Sequence, residues 1–122
     1  MLPAEHRLRS SRDMSATSRR GYRIPTPTLV VHGRMGESRP VRAGFVVSKR
    51  VGSAVTRNRV KRRLRHLMAA RLESLPPHAD LVVRALTPAA GASSARLGAD
   101  LDRALRRLGD RWNGQAAGGD VR

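Results

Sequence analysis

Residues 48–66 constrain the fold of this chain more than any other stretch, because a strand end, a turn and a helix start follow one another there. They run Ser-Lys-Arg-Val-Gly-Ser-Ala-Val-Thr-Arg-Asn-Arg-Val-Lys-Arg-Arg-Leu-Arg-His. In the preceding segment, 41–48, apolar residues recur at every second position, as in a strand with one buried face. After the Gly-Ser turn, apolar residues recur at helical spacing (Val60, Leu64, Met68). The segment therefore predicts a strand that leads directly into an amphipathic helix.

Two weaker elements precede this unit. A short helix is expected over 10–21, with Ser10 or Ser11 as its N-cap and Gly21 at its end. Prolines then keep the chain extended before an apolar strand over 28–32.

Two further elements follow it. Residues 81–86 are almost wholly apolar, which predicts a strand at the centre of the sheet. A last helix begins at Ser93 or Ser94 and carries leucines at helical spacing. We expect residues 113–122 to form a disordered tail.

The order of these elements predicts the fold class. The central helix is expected over 55–75, where Pro76 and Pro77 stop it. The strands at 28–32 and 41–48 are expected to pair as an antiparallel hairpin. The order helix, strand, strand, helix, strand, helix predicts an α+β fold, a two-layer α/β sandwich with a small sheet covered by helices.

Length and composition set the outer limits. The 122 residues fit a single domain, with a core over about 5–112. The chain has no cysteine, which excludes disulfides and cysteine-ligated zinc. No apolar run approaches the roughly 18 residues that span a bilayer, and the N-terminus lacks the apolar core of a signal peptide. We expect a cytoplasmic protein that does not bind membranes.

Charge points to the class of partner. The formal net charge is +16, and no acidic residue lies between Glu37 and Glu73. On a helical wheel, a cationic ridge falls within about 100° of the central helix, opposite its apolar stripe. Since no acid at i±4 offsets this ridge, a nucleic-acid backbone is the partner it fits best. A merely solvated basic face is the alternative. The ridge contains Asn58, Lys61, Arg62 and Arg65.

The sequence shows no catalytic constellation. Its nine acidic residues are scattered, and its four histidines have no ligand spacing. Only Tyr22, Phe45 and Trp112 are aromatic, so we expect contacts to phosphate to dominate over base stacking. The polypeptide is expected to bind rather than to catalyse.

Two adjoining segments closely resemble the protein-subunit family of bacterial ribonuclease P. They are Gly-Phe-Val-Val-Ser-Lys-Arg-Val-Gly-Ser-Ala-Val at 44–55 and Arg-Asn-Arg-Val-Lys-Arg-Arg-Leu-Arg at 57–65. The resemblance implies a ribonucleoprotein endonuclease that removes the 5′ leader from precursor tRNA. It also implies that the RNA subunit holds the catalytic Mg²⁺ and performs the hydrolysis. The protein would bind this RNA and the substrate leader, raise affinity for substrate and Mg²⁺, be inactive alone and need no obligate protein partner.

The resemblance also implies residue roles. RNA contacts carry over to Ser48, Lys49, Arg50, Arg57, Asn58, Arg59, Lys61, Arg62 and Arg65. The leader cleft of the family lies between the first helix and the exposed sheet face. This chain departs from the family there, because Met14, Ser18 and His32 stand where aromatics are frequent. Arg19, Arg20 and Tyr22 could take over contact with the leader.

Two other functions and one question of topology stay open. An RNA-binding scaffold or ribosome-assembly protein would share the charge and the scarcity of aromatics, but the Arg-Asn-Arg motif speaks against it. A DNA-binding regulator would place the central helix in a major groove. The strand–helix–strand unit 41–86 would by general statistics cross over right-handed, whereas the resemblance implies a left-handed crossover, which we expect.

Overall fold

The computed structural model describes residues 2–36 and 39–121, with side-chain surroundings described as far as Gly114. Its main elements follow in chain order. They are α1 (Ser11–Arg20), β1 (Tyr22–Pro25), β2 (Leu29–Met35), β3 (Arg42–Val46), α2 (Ala54–Ala69), β4 (Ala79–Ala85) and α3 (Ser94–Val121). Short 3₁₀ turns precede α1 and lie between the later elements. The mixed α+β class is confirmed.

The four strands form one sheet in the order β1-β2-β4-β3. β1 pairs with β2 and β2 with β4 in antiparallel fashion, whereas β3 and β4 are parallel. The predicted central position of the apolar strand is confirmed, since β4 lies between β2 and β3. Five consecutive residues, Ala79 to Val83, are buried, as expected for a central strand that is covered on both faces of the sheet.

The predicted hairpin of 28–32 with 41–48 is wrong, because β4 is inserted between β2 and β3. β2 is itself buried over five positions and uses both its edges, one for β4 and one for β1. β1 was not predicted as a strand. It is an edge strand, where Pro25 costs no ladder hydrogen bond that the sheet needs. β3 and β4 are joined through α2, and the hand of this crossover stays a prediction.

The core lies between one sheet face and the helices α2 and α3. Val31 and Val83 of the sheet pack with Leu64 of α2 and Leu101 of α3, all fully buried. On the opposite face α1 contacts β2 and β4, and its Thr17 is fully buried. The α2 stripe predicted from the sequence therefore faces the core.

The starts of the helices agree with the predictions, whereas the end of α2 does not. Ser10 caps α1 through Asp13, and the Ser93 hydroxyl accepts a hydrogen bond from the Arg96 backbone N–H at the start of α3. α2 ends at Ala69 rather than near residue 75, because the chain turns into a 3₁₀ turn at Leu72–Ser74. For 113–122, α3 is assigned as helix to Val121, and disorder of this tail in solution stays a prediction.

Candidate nucleic-acid interface

The turn between β3 and α2 places three exposed polar residues beside the start of a helix. Ser48, Lys49 and Arg50 are exposed, while Val51 beside them is buried and fixes the turn to the core. Gly52 has a φ of 153°, which a residue with a side chain rarely adopts. The Ser53 hydroxyl accepts the Thr56 backbone N–H and caps α2. The two cations therefore stand next to a helix N-terminus, which also favours anions.

The solvent face of α2 carries part of the predicted ridge. Asn58 and Arg62 are exposed one turn apart. Lys61 and Arg65 are half-buried on the flank that faces β3, and they line a depression of about 170 Å³. Arg7 and Arg9 of the N-terminal segment line the same depression. The ridge thus continues from α2 across to the N-terminal segment.

Arg7 and Arg9 are candidate site residues that sequence reasoning missed. The N-terminal segment lies along the free edge of β3, where the Leu8 backbone N–H donates to the Ala43 carbonyl at 3.0 Å. Arg7 forms a parallel bridge with Ala43 as well. No periodicity in the first ten residues signals this edge contact, so their charge was the only available hint.

Two α2 arginines on the other flank are held by backbone carbonyls. Arg59 Nη2 donates to the Ala90 carbonyl at 3.2 Å, and Arg63 Nη1 donates to the Ala92 carbonyl at 3.1 Å. These carbonyls belong to the 3₁₀ turn Thr87–Gly91 and the residue after it. Arg59, to which the family resemblance gave an RNA contact, therefore also ties α2 to the chain that leads into α3.

Arg57 is also anchored. Its Nε donates to the Gly52 carbonyl at 3.2 Å, so the side chain folds back over the turn that precedes α2. This contact ties the Arg57 side chain to the turn that follows Lys49 and Arg50. The predicted RNA-binding residues lie on the turn before α2 and on α2 itself, and Arg57 and Arg59 are the anchored members of this cationic surface.

The charge of this surface is uncompensated. Among the described residues, every carboxylate that forms an ion pair does so with an arginine outside 57–65. Those arginines are Arg34 and Arg42 with Asp80, Arg42 with Asp13, Arg71 with Asp102 and Arg96 with Asp100. The cations of the first half of α2 therefore remain available to an external anion.

The four predicted leader-cleft residues do not meet at one place. Met14 lies against Gly44 and lines the depression with Lys61 and Arg65. Tyr22 lines a different depression, next to Trp112. Ser18 is half-exposed on α1.

His32 is buried on the sheet, where burial, with the charges of Arg84 and Arg23, lowers its pKa. It is 8% exposed, so little of its ring could stack on a ligand in this conformation. Its place opposite Arg23 in the β1–β2 register accounts for one of the two charges that act on it.

The described residues contain no group of three or more histidine, aspartate or glutamate side chains that could hold a metal ion. Over the same part of the chain, no helix is both long and apolar enough to cross a membrane.

Comparison with known proteins identifies the family. The family profile described as Ribonuclease P matches residues 2–109. The chain belongs to the ribonuclease P protein family. A ribonuclease P protein component from Streptomyces bikiniensis is 54% identical over 117 residues, covering 88% of this chain and 95% of that protein. One from Nocardioides sp. is 56% identical over 112 residues, covering 89% and 96%.

Solved structures agree with this family. The ribonuclease P protein of Staphylococcus aureus superposes with a TM-score of 0.74 at 25% identity, covering 83% of this chain and 93% of that one. The ribonuclease P protein of Thermotoga maritima gives 0.74 at 26% identity, covering 83% and 96%. Family membership makes the chain a subunit of an endoribonuclease holoenzyme that acts in tRNA 5′ processing, in association with the ribonuclease P RNA and the tRNA substrate.

Proposed function

We propose that the cationic surface of α2 and the turn before it bind the RNA subunit directly, and that this RNA performs the hydrolysis. The observation that carries the proposal is the uncompensated charge between Arg57 and Arg65, on a helix whose other face is fixed in the core. A rigid row of cations loses little freedom when it meets a phosphate backbone, and it releases the counterions of that backbone.

The division of labour follows from the side chains available. The described carboxylates that form ion pairs are engaged with arginines, and none of the described acids gathers into a set that suits Mg²⁺. The catalytic Mg²⁺ would then be held by the RNA, and the polypeptide alone would be inactive. The chain would act by binding the RNA, by contacting the leader and by raising affinity for substrate and Mg²⁺.

Leader contact is proposed for the surface between α1 and the sheet. Met14 and Ser18 on α1, with Tyr22 at the start of β1 and His32 on β2, remain the candidate residues. Met14 is not aromatic and His32 is buried, so these two positions offer little aromatic surface for stacking on several bases. We further propose that the particle is cytoplasmic and needs no additional protein subunit.

The decisive experiment is cleavage of a precursor tRNA at low Mg²⁺ by a bacterial ribonuclease P RNA, with and without this protein. We expect strong stimulation by the protein and no cleavage by the protein alone. Tight RNA binding without stimulation would contradict the proposal and favour an RNA-binding scaffold. Cleavage by the purified protein would contradict the assignment of the chemistry to the RNA.

A further inference from the structure

The helix α1 lies on the sheet with little apolar surface to hold it there. It contacts β2 and β4, on the sheet face opposite α2 and α3. Its one buried residue is Thr17, whose hydroxyl has no hydrogen-bond partner among the described residues. A short helix that buries so little apolar area gains little from the hydrophobic effect. Other contacts must therefore fix where α1 lies.

Arg42 of β3 provides such a contact, because its guanidinium joins α1 to the sheet. Its Nε and Nη2 each donate to the Asp80 carboxylate at 3.0 Å, and Asp80 is buried in β4. Its Nη1 lies 3.5 Å from an Asp13 carboxylate oxygen in the first turn of α1. Two bonds to one carboxylate fix the plane of the guanidinium, and this sets the direction of the remaining Nη1 hydrogens. Asp13 therefore meets a partner that the sheet has already oriented.

Two glycines let the ends of α1 approach the strands closely. Gly44, two residues after Arg42 on β3, lies against Met14, and a Cβ on Gly44 would stand 2.9 Å from Met14 Cε. At the other end of α1, a Cβ on Gly21 would stand 2.5 Å from the Gly33 carbonyl oxygen of β2. The contact of Arg42 with α1 is thus part of a close fit at the first turn of the helix.

Asp13 is the acidic residue on which this fit depends. It is the only acid in the segment 6–36, and α1 otherwise carries Arg12, Arg19 and Arg20. Within the described part of the chain, its pair with Arg42 is the only ion pair between α1 and the sheet. Without this carboxylate, α1 would present only cations to the Arg42 guanidinium, and like charges repel.

We propose that Asp13 and Arg42 are positioning residues, which hold α1 at the distance from the sheet that binding of the precursor leader requires. The inference rests on the leader contact proposed above for the surface between α1 and the sheet. Asp13 does not need to touch RNA, since a carboxylate would repel phosphate. It acts through Arg42.

Charge alone and positioning predict opposite effects of Asp13→Asn. Removing a carboxylate from a chain of net charge +16 makes it more cationic, which by itself strengthens RNA binding. We expect the reverse for a holoenzyme reconstituted with a bacterial ribonuclease P RNA. Its affinity for a precursor tRNA with a long leader should fall about 2- to 5-fold, the factor that an exposed ion pair contributes.

The loss of affinity should depend on the leader. A precursor with a single leader nucleotide should bind the Asp13→Asn holoenzyme as tightly as the unaltered one. The rate of cleavage at saturating substrate should not change, because neither residue is placed at the reacting atoms. Equal or tighter binding of the long-leader precursor by Asp13→Asn would overturn the proposal.

Two single variants serve as controls. Glu5→Gln removes the charge of an exposed acid that forms none of the ion pairs found among the described residues. It should bind the long-leader precursor as tightly as the unaltered protein or more tightly. Asp13→Glu keeps the carboxylate within reach of Arg42 and should retain the affinity that Asp13→Asn loses. A loss as large in Asp13→Glu as in Asp13→Asn would be contrary evidence.

A double-mutant cycle separates the ion pair from an effect within α1. Asp13 lies in the first turn of α1, where its charge also stabilises the helix itself. In Arg42→Lys, the ammonium can pair with the buried Asp80 but lacks the second arm that meets Asp13. Asp13→Asn should then cause no further loss of affinity for the long leader. A full additional loss would show that Asp13 acts without Arg42, and the proposal would fail.

Hydrogen exchange in the full-length free protein reports on the position of α1 without RNA. The α1 amides should exchange faster in Asp13→Asn than in Glu5→Gln, while the β4 amides stay equally protected. Unchanged exchange of α1 in Asp13→Asn would overturn the proposal.

The unaltered holoenzyme distinguishes this inference from the function on which it rests. If it binds long-leader and short-leader precursors equally, the leader contact itself is refuted, and the positioning role with it. If it prefers the long leader and Asp13→Asn keeps that preference, the leader contact stands and the positioning role alone is refuted.

Discussion

The Thr28 hydroxyl donates a 2.6 Å hydrogen bond to the buried carboxylate of Asp100, which joins the start of β2 to the second turn of α3. The Thr28 backbone N–H donates to the same oxygen at 3.2 Å, and Arg96 Nε lies 3.5 Å from it. This carboxylate is therefore satisfied from both the sheet and its own helix. The contact fixes the N-terminal end of α3, whose later turns carry Leu108 and Trp112.

Low pH should weaken the contact between Thr28 and Asp100. Burial alone would raise the pKa of Asp100, but the hydrogen bonds from Thr28 and Arg96 and the Arg96 charge outweigh it and lower that pKa below 3.8. The stability it contributes is then fully present above pH 3.8 and is lost as pH falls through the lowered pKa. Thr28→Val should cost about 1–3 kcal/mol in urea unfolding at pH 7, because a buried acceptor loses its shortest hydrogen bond. The loss should be smaller near pH 2, and an equal loss at both values would contradict this account.

Arg42 should matter more for stability than Arg34. Arg42 Nε and Nη2 each donate to the buried Asp80 carboxylate at 3.0 Å, whereas Arg34 stands at 4.0 Å. The hydrogen bond to Asp80 also raises the pKa of Arg42, so this guanidinium stays charged. Arg42→Met leaves a buried carboxylate without a close partner and should cost about 3 kcal/mol. Arg34→Met should cost below about 1 kcal/mol. Chemical denaturation of both variants would settle the order, and a reversed order would refute it.

His32 should make the protein less stable in mild acid. Burial first, and then the charges of Arg84 and Arg23, lower its pKa below the usual 6.5. The unfolded chain therefore binds the proton more readily, so stability is full above pH 6.5 and falls as pH drops below that value. His32→Leu should remove this part of the pH dependence. The measurement is the free energy of unfolding at pH 7.5 and 5.5, and an unchanged difference between the two in the variant would be contrary evidence.

Arg62 and Arg63 are adjacent but should behave differently. Arg62 is exposed on the proposed RNA-binding face, and Arg63 is bonded to the Ala92 carbonyl. Arg62→Ala should weaken binding of the ribonuclease P RNA, reduce the salt slope by about one and leave stability unchanged. Arg63→Ala should cost about 1 kcal/mol of stability. Filter binding across a salt series, with thermal unfolding of both variants, tests the pair.

The same assay applied to Arg59→Ala should show a loss of both stability and RNA affinity, because this residue is anchored to the Ala90 carbonyl within the cationic surface. An Arg62→Ala variant with an unchanged salt slope would remove the solvent face of α2 from the RNA interface.

Local signals were sufficient for much of the fold and of the α2 surface. Apolar spacing located α2 and α3, serine caps located the starts of α1 and α3, and the apolar run at 81–86 indicated the central strand. The Arg-Asn-Arg motif located the cationic surface. Each of these signals is carried by residues within a few positions of one another, where helix and strand periodicity act directly.

Strand pairing and residue roles depended on contacts between distant segments. The sequences of β2 and β3 did not indicate that β4 would lie between these two strands. In the folded sheet, one edge of β2 pairs with β1 and the other edge pairs with β4. The carbonyl contact of Arg59 and the edge position of Arg7 are also long-range. The family resemblance gave Arg59 the same RNA-contacting role as Arg62.

The convergence of Tyr22 and Trp112 shows most clearly the difference between local sequence signals and contacts between distant segments. The sequence established that aromatics are scarce, and from this we expected little base stacking. Only the packing of α3 against Gly33 brings two of these three aromatic residues, Tyr22 and Trp112, to the same depression. The sequence by itself determined the helices, the central strand and the cationic face, because neighbouring residues encode them. The tertiary structure decided the strand order and the convergence of Tyr22 and Trp112, because these depend on which distant side chains can pack without collision.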